Sequence, residues 1–166
     1  MGRLFACLWP PDHVRSALES LHRKDQVGAR FVAPEQWHVT LRFFGNAEPQ
    51  PVAAALGGAR FEATTVRLGP AVDVGNGRTL FIPAAGADEL ASEVVRVTRD
   101  LGDRPPRARF LGHVTIARLK PRANMPRVLG ELVDVAWVPE EVALVESRLR
   151  PEGARYETLD TWPINA

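Results

Sequence analysis

Two stretches of this chain repeat one another. Trp37-His38-Val39-Thr40-Leu41-Arg42-Phe43-Phe44-Gly45 and Leu111-Gly112-His113-Val114-Thr115-Ile116-Ala117-Arg118-Leu119-Lys120 each carry His-Val-Thr-aliphatic within a run of β-branched and aromatic residues. Such runs favour extended strands. In a strand, side chains two apart share a face. His and Thr therefore point one way, while Val39 and Leu41, or Val114 and Ile116, point the other. The chain must supply two strands that each bury an aliphatic face and show an imidazole and a hydroxyl on the opposite one. A fold that satisfies both copies brings the two polar faces together.

The surroundings of the two copies also match. Each is preceded by a strand, a helix and an Arg-Phe pair, Arg30-Phe31 before the first and Arg109-Phe110 before the second. This order predicts an α+β, bilobal fold. Its two pseudo-symmetric lobes each hold an antiparallel sheet with flanking helices, and an active-site cleft lies between them. The expected elements are a strand over Arg3 to Trp9, a helix capped by Asp12 and running to about Arg23, and a strand at Arg30-Phe31-Val32. The first motif strand then covers Trp37 to Phe44, followed by a short Ala-rich helix ending at Gly57-Gly58. Strands are expected over Thr64 to Leu68, Val72 to Val74 and Thr79 to Ile82, with a hairpin turn at Gly75-Asn76-Gly77. The clearest helix, with Leu90, Val94, Val97 and Leu101 on one face, covers Asp88 to about Leu101. A short helix over Val128 to Val133 and strands over Val142 to Leu149 and Tyr156 to Trp162 complete the chain. No low-complexity tract or long linker divides it, so residues 1–166 are expected to form one domain made of two lobes.

The formal net charge is +1, so affinity for a polyanion must come from a local cluster rather than a global field. Lys24 and Lys120 are the only lysines; in a chain so rich in Ala, Gly and Pro, abundant Arg is weak evidence for phosphate binding. Cys7 is the one cysteine, which excludes an internal disulfide and suits a reducing compartment. The interrupted apolar N-terminus is not a signal peptide, and no apolar run approaches a membrane span. A cytoplasmic, soluble monomer is the expectation.

Two imidazoles in one cleft can act as base and acid at neutral pH. In-line hydrolysis of a phosphodiester needs that pair: one proton leaves the attacking water and another reaches the leaving oxygen. Thr hydroxyls can donate to the non-bridging phosphate oxygens. No metal or other cofactor is required, and His-x-Thr offers no second ligand for one. His13 and His22 have no partner motif and are expected to be solvated or capping residues. Trp37 and Phe44 are expected to pack, Arg42 to face solvent or line the groove, and Cys7 to be an inert core thiol.

The two copies resemble the paired H-x-T-x signatures of the 2H phosphoesterases, and within them the RNA 2′,3′-cyclic phosphodiesterases, or 2′-5′ RNA ligase-like proteins. Arg3-Leu4-Phe5 is similar to that family's opening strand, and Glu146-Ser147-Arg148-Leu149 with Pro151, Gly153 and Tyr156 to its C-terminal segment. The resemblance implies that His38 is the proton donor to the leaving 3′ oxygen and His113 the acceptor from water. It implies that Thr40, Thr115 and Arg118 bind phosphate, with Phe43 at the position equivalent to Arg118. Strict alternation puts Arg118 on the face opposite His113, so its role requires a bulge or a strand end. The implied activity is metal-independent opening of an RNA terminal 2′,3′-cyclic phosphate to a 2′-phosphomonoester, with 2′-5′ ligation as its reverse. The implied partners are RNA ends or nucleotides carrying that group. Two other readings remain: a 2H enzyme acting on a small cyclic nucleotide or a cyclic ADP-ribose phosphate, and a non-catalytic RNA- or nucleotide-binding module. A basic, aromatic groove beyond the phosphate site distinguishes an RNA enzyme from one acting on a small molecule.

Overall fold

In the computed structural model, which describes residues 2–76 and 78–165, the two motif strands are neighbours in one curled antiparallel sheet. The elements are β1 (Gly2–Leu8), α1 (Asp12–Glu19), β2 (Ala29–Phe31), a 3₁₀ turn (Pro34–Gln36), β3 (Val39–Ala47), α2 (Pro49–Gly57), β4 (Val66–Leu68), β5 (Asp73–Gly75), β6 (Thr79–Ala85), α3 (Asp88–Thr98), β7 (His113–Leu119), β8 (Val135–Trp137), β9 (Glu141–Arg150) and β10 (Gly153–Pro163). The strand order is β10-β9-β1-β3-β7-β6-β4-β8, with β2 also on β7 and β5 on β6. The two lobes are therefore halves of one ten-stranded sheet rather than two separate sheets. The first half is β10-β9-β1-β3 and the second is β7-β6-β4-β8.

Among the described residues, the halves meet at a single pair, Val39 opposite Val114. Beyond it β3 leaves β7, and β2 takes its place, pairing Ala29, Arg30 and Phe31 with Leu119, Arg118 and Ala117. Each half's first helix reaches across: α1 contacts β8, while α3 packs on β3 and α2. One hydrophobic cluster fills the space beneath both halves, including Leu4, Leu18, Val39, Phe44, Leu80, Leu90, Val114, Ile116 and Leu144, none more than 1% exposed. Burial of each such side chain is worth about 1.5–3 kcal/mol. A smaller cluster of Phe5, Cys7, Ala143 and Val145, joined by Trp9, Phe43 and Tyr156, covers the opposite face of the first half. This is why Val142 to Glu146 are buried without a break: the strand has packing on both faces.

Several boundaries differ from expectation. Asp12 lies in the first turn of α1 rather than capping it, Pro11 takes the cap position, and the helix stops at Glu19. The segment over Val128 to Val133 is not a helix. Gly130 takes φ +86°, and the backbone pairs with the 70–72 segment instead, through Gly130 N–H to Val72 O at 2.9 Å and Val133 N–H to Pro70 O at 2.9 Å. Strand β8 has too short an apolar pattern to stand out in the sequence. The hairpin turn expected at Gly75-Asn76-Gly77 joins β5 to β6, with Gly77 itself outside the described residues.

Arg42 does not face solvent, being only 4% exposed; its side chain lines a groove beside β3 while its charge is taken up by backbone carbonyls. Its guanidinium caps the C-terminus of α3, donating to Thr98 O, to Thr98 Oγ1 at 2.8 Å, to Leu101 O at 2.8 Å and to Arg104 O at 3.2 Å. The helix ends at Thr98, and a side chain from the motif strand satisfies that residue's carbonyl together with two in the loop beyond it. Arg42→Met keeps the alkyl packing but strands those buried acceptors. It is expected to cost on the order of 2–4 kcal/mol, read as a lower urea midpoint at unchanged slope; an unchanged midpoint would show that the cap carries no stability.

Candidate active site

Continuing the register from Val39 and Val114 by one residue each way sets His38 opposite Thr115 and Thr40 opposite His113. All four side chains lie on the face away from the main core, where each is half-buried. The two histidines are diagonal neighbours, which on an antiparallel ladder means roughly 7–8 Å between backbones. That is room for a tetrahedral phosphate between the rings. The His-Thr quartet expected from the repeat is thus assembled crosswise.

The two imidazoles are held the same way. Nδ1 of His38 lies 2.7 Å from Gln36 O and Nδ1 of His113 lies 2.9 Å from Leu111 O. A carbonyl only accepts, so each Nδ1 carries a proton and each Nε2 is left for chemistry. Both holding carbonyls stand two residues before the histidine, so the repeat extends into backbone geometry. Immediately before His113, a Cβ on Gly112 would meet Ala84 O at 2.5 Å, so only glycine lets β7 start so close to β6.

The bulge that Arg118 requires is present. Between β6 and β7 the register runs Leu80–Ala117 and then Phe81–Thr115, leaving Ile116 as the extra residue. Ile116 and Ala117 are both buried, and Arg118 returns to the face of His113 and Thr115. Strand β3 has the matching irregularity: Ala6 pairs Arg42 and Cys7 pairs Thr40, with Leu41 extra. Leu41 and Arg42 are buried in succession, and Phe43 emerges where Arg118 does in the other copy.

The environments of the histidines differ. His38 is stacked on Phe5 at 4.8 Å, with Trp9 and Tyr156 edge-on at 5.5 and 5.6 Å. His113 has only Phe81 edge-on at 5.6 Å. Burial in this aromatic cage lowers the His38 pKa from its ordinary value of 6.5. The Gln36 carbonyl opposes the shift, and the nearby charges of His113 and Arg118 reinforce it.

A groove of about 1110 Å³ leads away from the His38 side, between the segment at 30–37 and the β9–β10 turn. Trp9, Tyr156, Arg30, Arg118, Arg150 and Arg155 are among its lining residues. Gln36 Nε2 donates to Ala154 O at 2.6 Å and Arg30 to Glu152 O at 3.2 Å, joining its two walls. Arg30 and Arg118 are directly opposite across β2 and β7, a like-charge pair that is unfavourable unless an anion lies between them. The cage and the arginines of this groove are functional candidates that no sequence period marks. Phe5 and Tyr156 fall in the family-like terminal segments, and Arg30 and Arg118 belong to the motif surroundings already singled out, whereas Arg150 and Arg155 carry no such signal. A second groove of about 880 Å³ opens on the His113 side.

The other expectations follow the burial. Trp37 and Phe44 pack in the core at 1% and 0% exposure. His13 and His22 are exposed, His13 Nε2 lying 2.9 Å from Ala136 O. Cys7 is fully buried, with its thiol pKa pushed up by burial, in the small cluster beneath the groove rather than in the main core. Among the described residues, no group of three or more His, Cys, Asp or Glu side chains gathers to hold a metal ion, and no helix is long and apolar enough to cross a membrane.

Comparison with known proteins decides the family. The family profile described as "LigT like Phosphoesterase" matches residues 8–71. A Thermus thermophilus protein named RNA 2′,3′-cyclic phosphodiesterase is 33% identical over 98% of this chain and 90% of its own length. The chain belongs to the LigT-like phosphoesterases. A second relative, from Aeropyrum pernix and of the same name, is 34% identical over 80% of this chain and 85% of its own. A crystal structure from Thermus thermophilus superposes with a TM-score of 0.80 at 32% identity, covering 98% of this chain and 97% of that one. In this LigT-like phosphoesterase the profile's match takes in the first motif, and the whole-length relative extends the likeness across the second. It is therefore an enzyme of a 2H fold, α+β, with one antiparallel sheet and three α-helices among the described residues.

The caged imidazole makes stability pH-dependent in a stated direction. An unfolded histidine binds its proton near 6.5, and folded His38 binds it at lower pH. Between those values the unfolded chain holds the extra proton, so stability present above about 6.5 is lost as pH falls towards the folded pKa. NMR titration of the His38 ring should give a midpoint below 6.5, and Tyr156→Ala should raise it by opening the cage. A wild-type midpoint at or above the ordinary value would contradict the cage.

Proposed function

We propose that this LigT-like phosphoesterase hydrolyses RNA terminal 2′,3′-cyclic phosphates to 2′-phosphomonoesters by paired-histidine acid–base catalysis without a metal. The observation that carries the reading is the crosswise His-Thr quartet, with both Nε2 atoms free beside one phosphate-sized space. His113 Nε2 accepts the proton of the attacking water, and His38 gives its proton to the leaving 3′ oxygen. Thr40 and Thr115 donate to the non-bridging oxygens, and Arg118 balances the charge that grows on them. In the free protein the cage keeps His38 neutral, whereas its role requires a proton. The phosphate anion itself supplies the bias, since a negative charge alongside raises the imidazole pKa. His38 is thereby charged as an acid only when substrate is bound.

The relatives named RNA 2′,3′-cyclic phosphodiesterase support RNA as the substrate. So does the His38-side groove, where Arg30 and Arg118 form a like-charge pair that a phosphate would relieve and Trp9 and Tyr156 offer rings to bases. A small cyclic nucleotide has no chain to fill that groove. Ligation to a 2′-5′ linkage is the same displacement of the 3′ oxygen with a 5′-hydroxyl attacking in place of water. We place the enzyme as a monomer in the cytoplasm, where the free thiol of Cys7 is in keeping with a reducing compartment.

The test is to incubate purified protein with a short RNA and with mononucleotides, each ending in a 2′,3′-cyclic phosphate. The RNA should be opened to the 2′-phosphate with the higher kcat/KM; a faster mononucleotide or cyclic ADP-ribose phosphate would make the small-molecule reading correct. His38→Ala and His113→Ala should each lower turnover about 10²–10⁴-fold, and the double variant should be little worse than the worse single one. Thr40→Ala or Thr115→Ala should cost on the order of 1–3 kcal/mol in the transition state. The pH profile of kcat/KM should be bell-shaped, with both limbs belonging to the pair. Chelator should leave the wild type unaffected, and activity lost to chelator and restored by metal would overturn the metal-free mechanism.

A further inference from the structure

The two histidines are anchored by equivalent carbonyls, but those carbonyls are not themselves held alike. Leu111 O, which takes the Nδ1 proton of His113, stands at the threshold of the sheet. The next carbonyl, Gly112 O, accepts from Ala84 N–H at 2.9 Å, and His113 opens β7 opposite Pro83. Pairing with β6 therefore pins the chain within one residue of the anchor, and the Leu111 side chain is left 58% exposed. Gln36 O has no such support. From Ala33 to Trp37, among the described residues, none pairs with a neighbouring strand. The backbone bonds of this stretch close a 3₁₀ turn, from Gln36 N–H to Ala33 O at 2.8 Å and from Trp37 N–H to Pro34 O at 3.3 Å.

One side chain stands in for the missing strand. Gln36 Nε2 donates to Ala154 O at 2.6 Å, a carbonyl of β10, the outermost strand at that end of the sheet. Gln36 thus bonds the histidine with its main chain and the far wall of the groove with its side chain. The second copy of the motif has Leu111 at this position, where the sheet already supplies the hold. We propose that Gln36 is a positioning residue for His38: its side-chain amide fixes the peptide that orients the proton donor, doing from the edge of β10 what β6 does for the proton acceptor. This rests on the acid and base assigned above. Proton transfer is steeply sensitive to the placing of the donor atom, so a ring left to wander on a loose turn loses rate and not affinity.

A role at the histidine is separable from one in docking the C-terminal hairpin, because the two act on the ring in opposite directions. Burial in the cage of Phe5, Trp9 and Tyr156 lowers the His38 pKa, the Gln36 carbonyl raises it, and the charges of His113 and Arg118 lower it. A loosened anchor therefore lowers the midpoint further, whereas a loosened hairpin opens the cage and raises it.

The test compares wild type with Gln36→Met, which keeps the length of the side chain and removes its donor. With a 2′,3′-cyclic phosphate as substrate, kcat should fall about tenfold or more while KM stays within about threefold. The alkaline limb of the kcat profile should move to lower pH, since an acid of lower pKa loses its proton sooner. NMR should show a lower His38 midpoint and faster exchange of its Nδ1 proton, with that of His113 unchanged. Gln36→Lys returns a donor of sufficient reach and should recover most of kcat and the slow exchange. An unchanged kcat, a His38 midpoint that stays or rises, or equal losses in Gln36→Met and Gln36→Lys would overturn the proposal. Thermal unfolding checks that each variant is folded. Should Gln36→Met not fold, Gln36→Glu keeps the shape of the amide without its donor and should show the same faster Nδ1 exchange at His38; exchange as slow as in the wild type would overturn the proposal. Failure of the wild type to open cyclic phosphates would remove the acid assignment, and the His38 ring signals would then decide the anchoring by themselves.

Discussion

Val39 facing Val114 is, among the described residues, the only backbone pair through which the two halves of the sheet are joined, and the active-site geometry depends on it. One pair fixes the register, and the register sets each histidine against the other strand's threonine. A slip of either strand by a single residue would turn its histidine and threonine into the core and bring its valine to the surface. The penalty is steep, because Val39, Leu41, Val114 and Ile116 together hold the aliphatic side in the main hydrophobic cluster. The His-Thr face is thus placed by hydrophobic burial on the reverse of the same strands. Because contact ends after one pair, the strands are free to part, and the space between them admits β2 on one side and a groove on the other.

Around that frame the two imidazoles have the same anchoring and different surroundings. Both are oriented by a carbonyl two residues back, which leaves the same ring nitrogen available on each. Only His38 is caged by Phe5, Trp9 and Tyr156. A pair of identical histidines in identical settings would have no reason to divide into acid and base. Here desolvation of one member distinguishes the two rings, and the proposed division into acid and base rests on that difference.

What the chain discloses by itself is local and periodic. The repeat, the alternating strands around it and the amphipathic pattern of α3 are written at two-residue and helical spacing, and the paired motif strands with their shared polar face follow directly. What the sequence conceals is register. Arg118 lies on the wrong face under strict alternation and reaches the right one only through the extra residue Ile116, which nothing in its neighbours' types marks. Arg42 looks like a solvent-facing charge in an amphipathic strand. The equivalent bulge at Leu41 buries it, and its partners come from the distant end of α3. The helix expected over Val128 to Val133 fails for a related reason, since backbone pairing with the 70–72 segment outweighs a weak local propensity.

The threading of the halves has a consequence for how the enzyme comes into being. The second half is a continuous insert: β4, β6, β7 and β8 all lie between Val66 and Trp137. The first half is split, because β1 pairs with β3 on one side and with β9, the next-to-last strand, on the other. During synthesis the insert can close upon itself, whereas β1 waits with one edge unpaired until β9 and β10 emerge from the ribosome. Tyr156, which completes the cage around His38, is made after both motif strands. The nascent chain therefore carries an open, apolar strand edge until β9 is made, the condition in which molecular chaperones are needed. The difference in surroundings between the two imidazoles is complete only when the C-terminal hairpin docks.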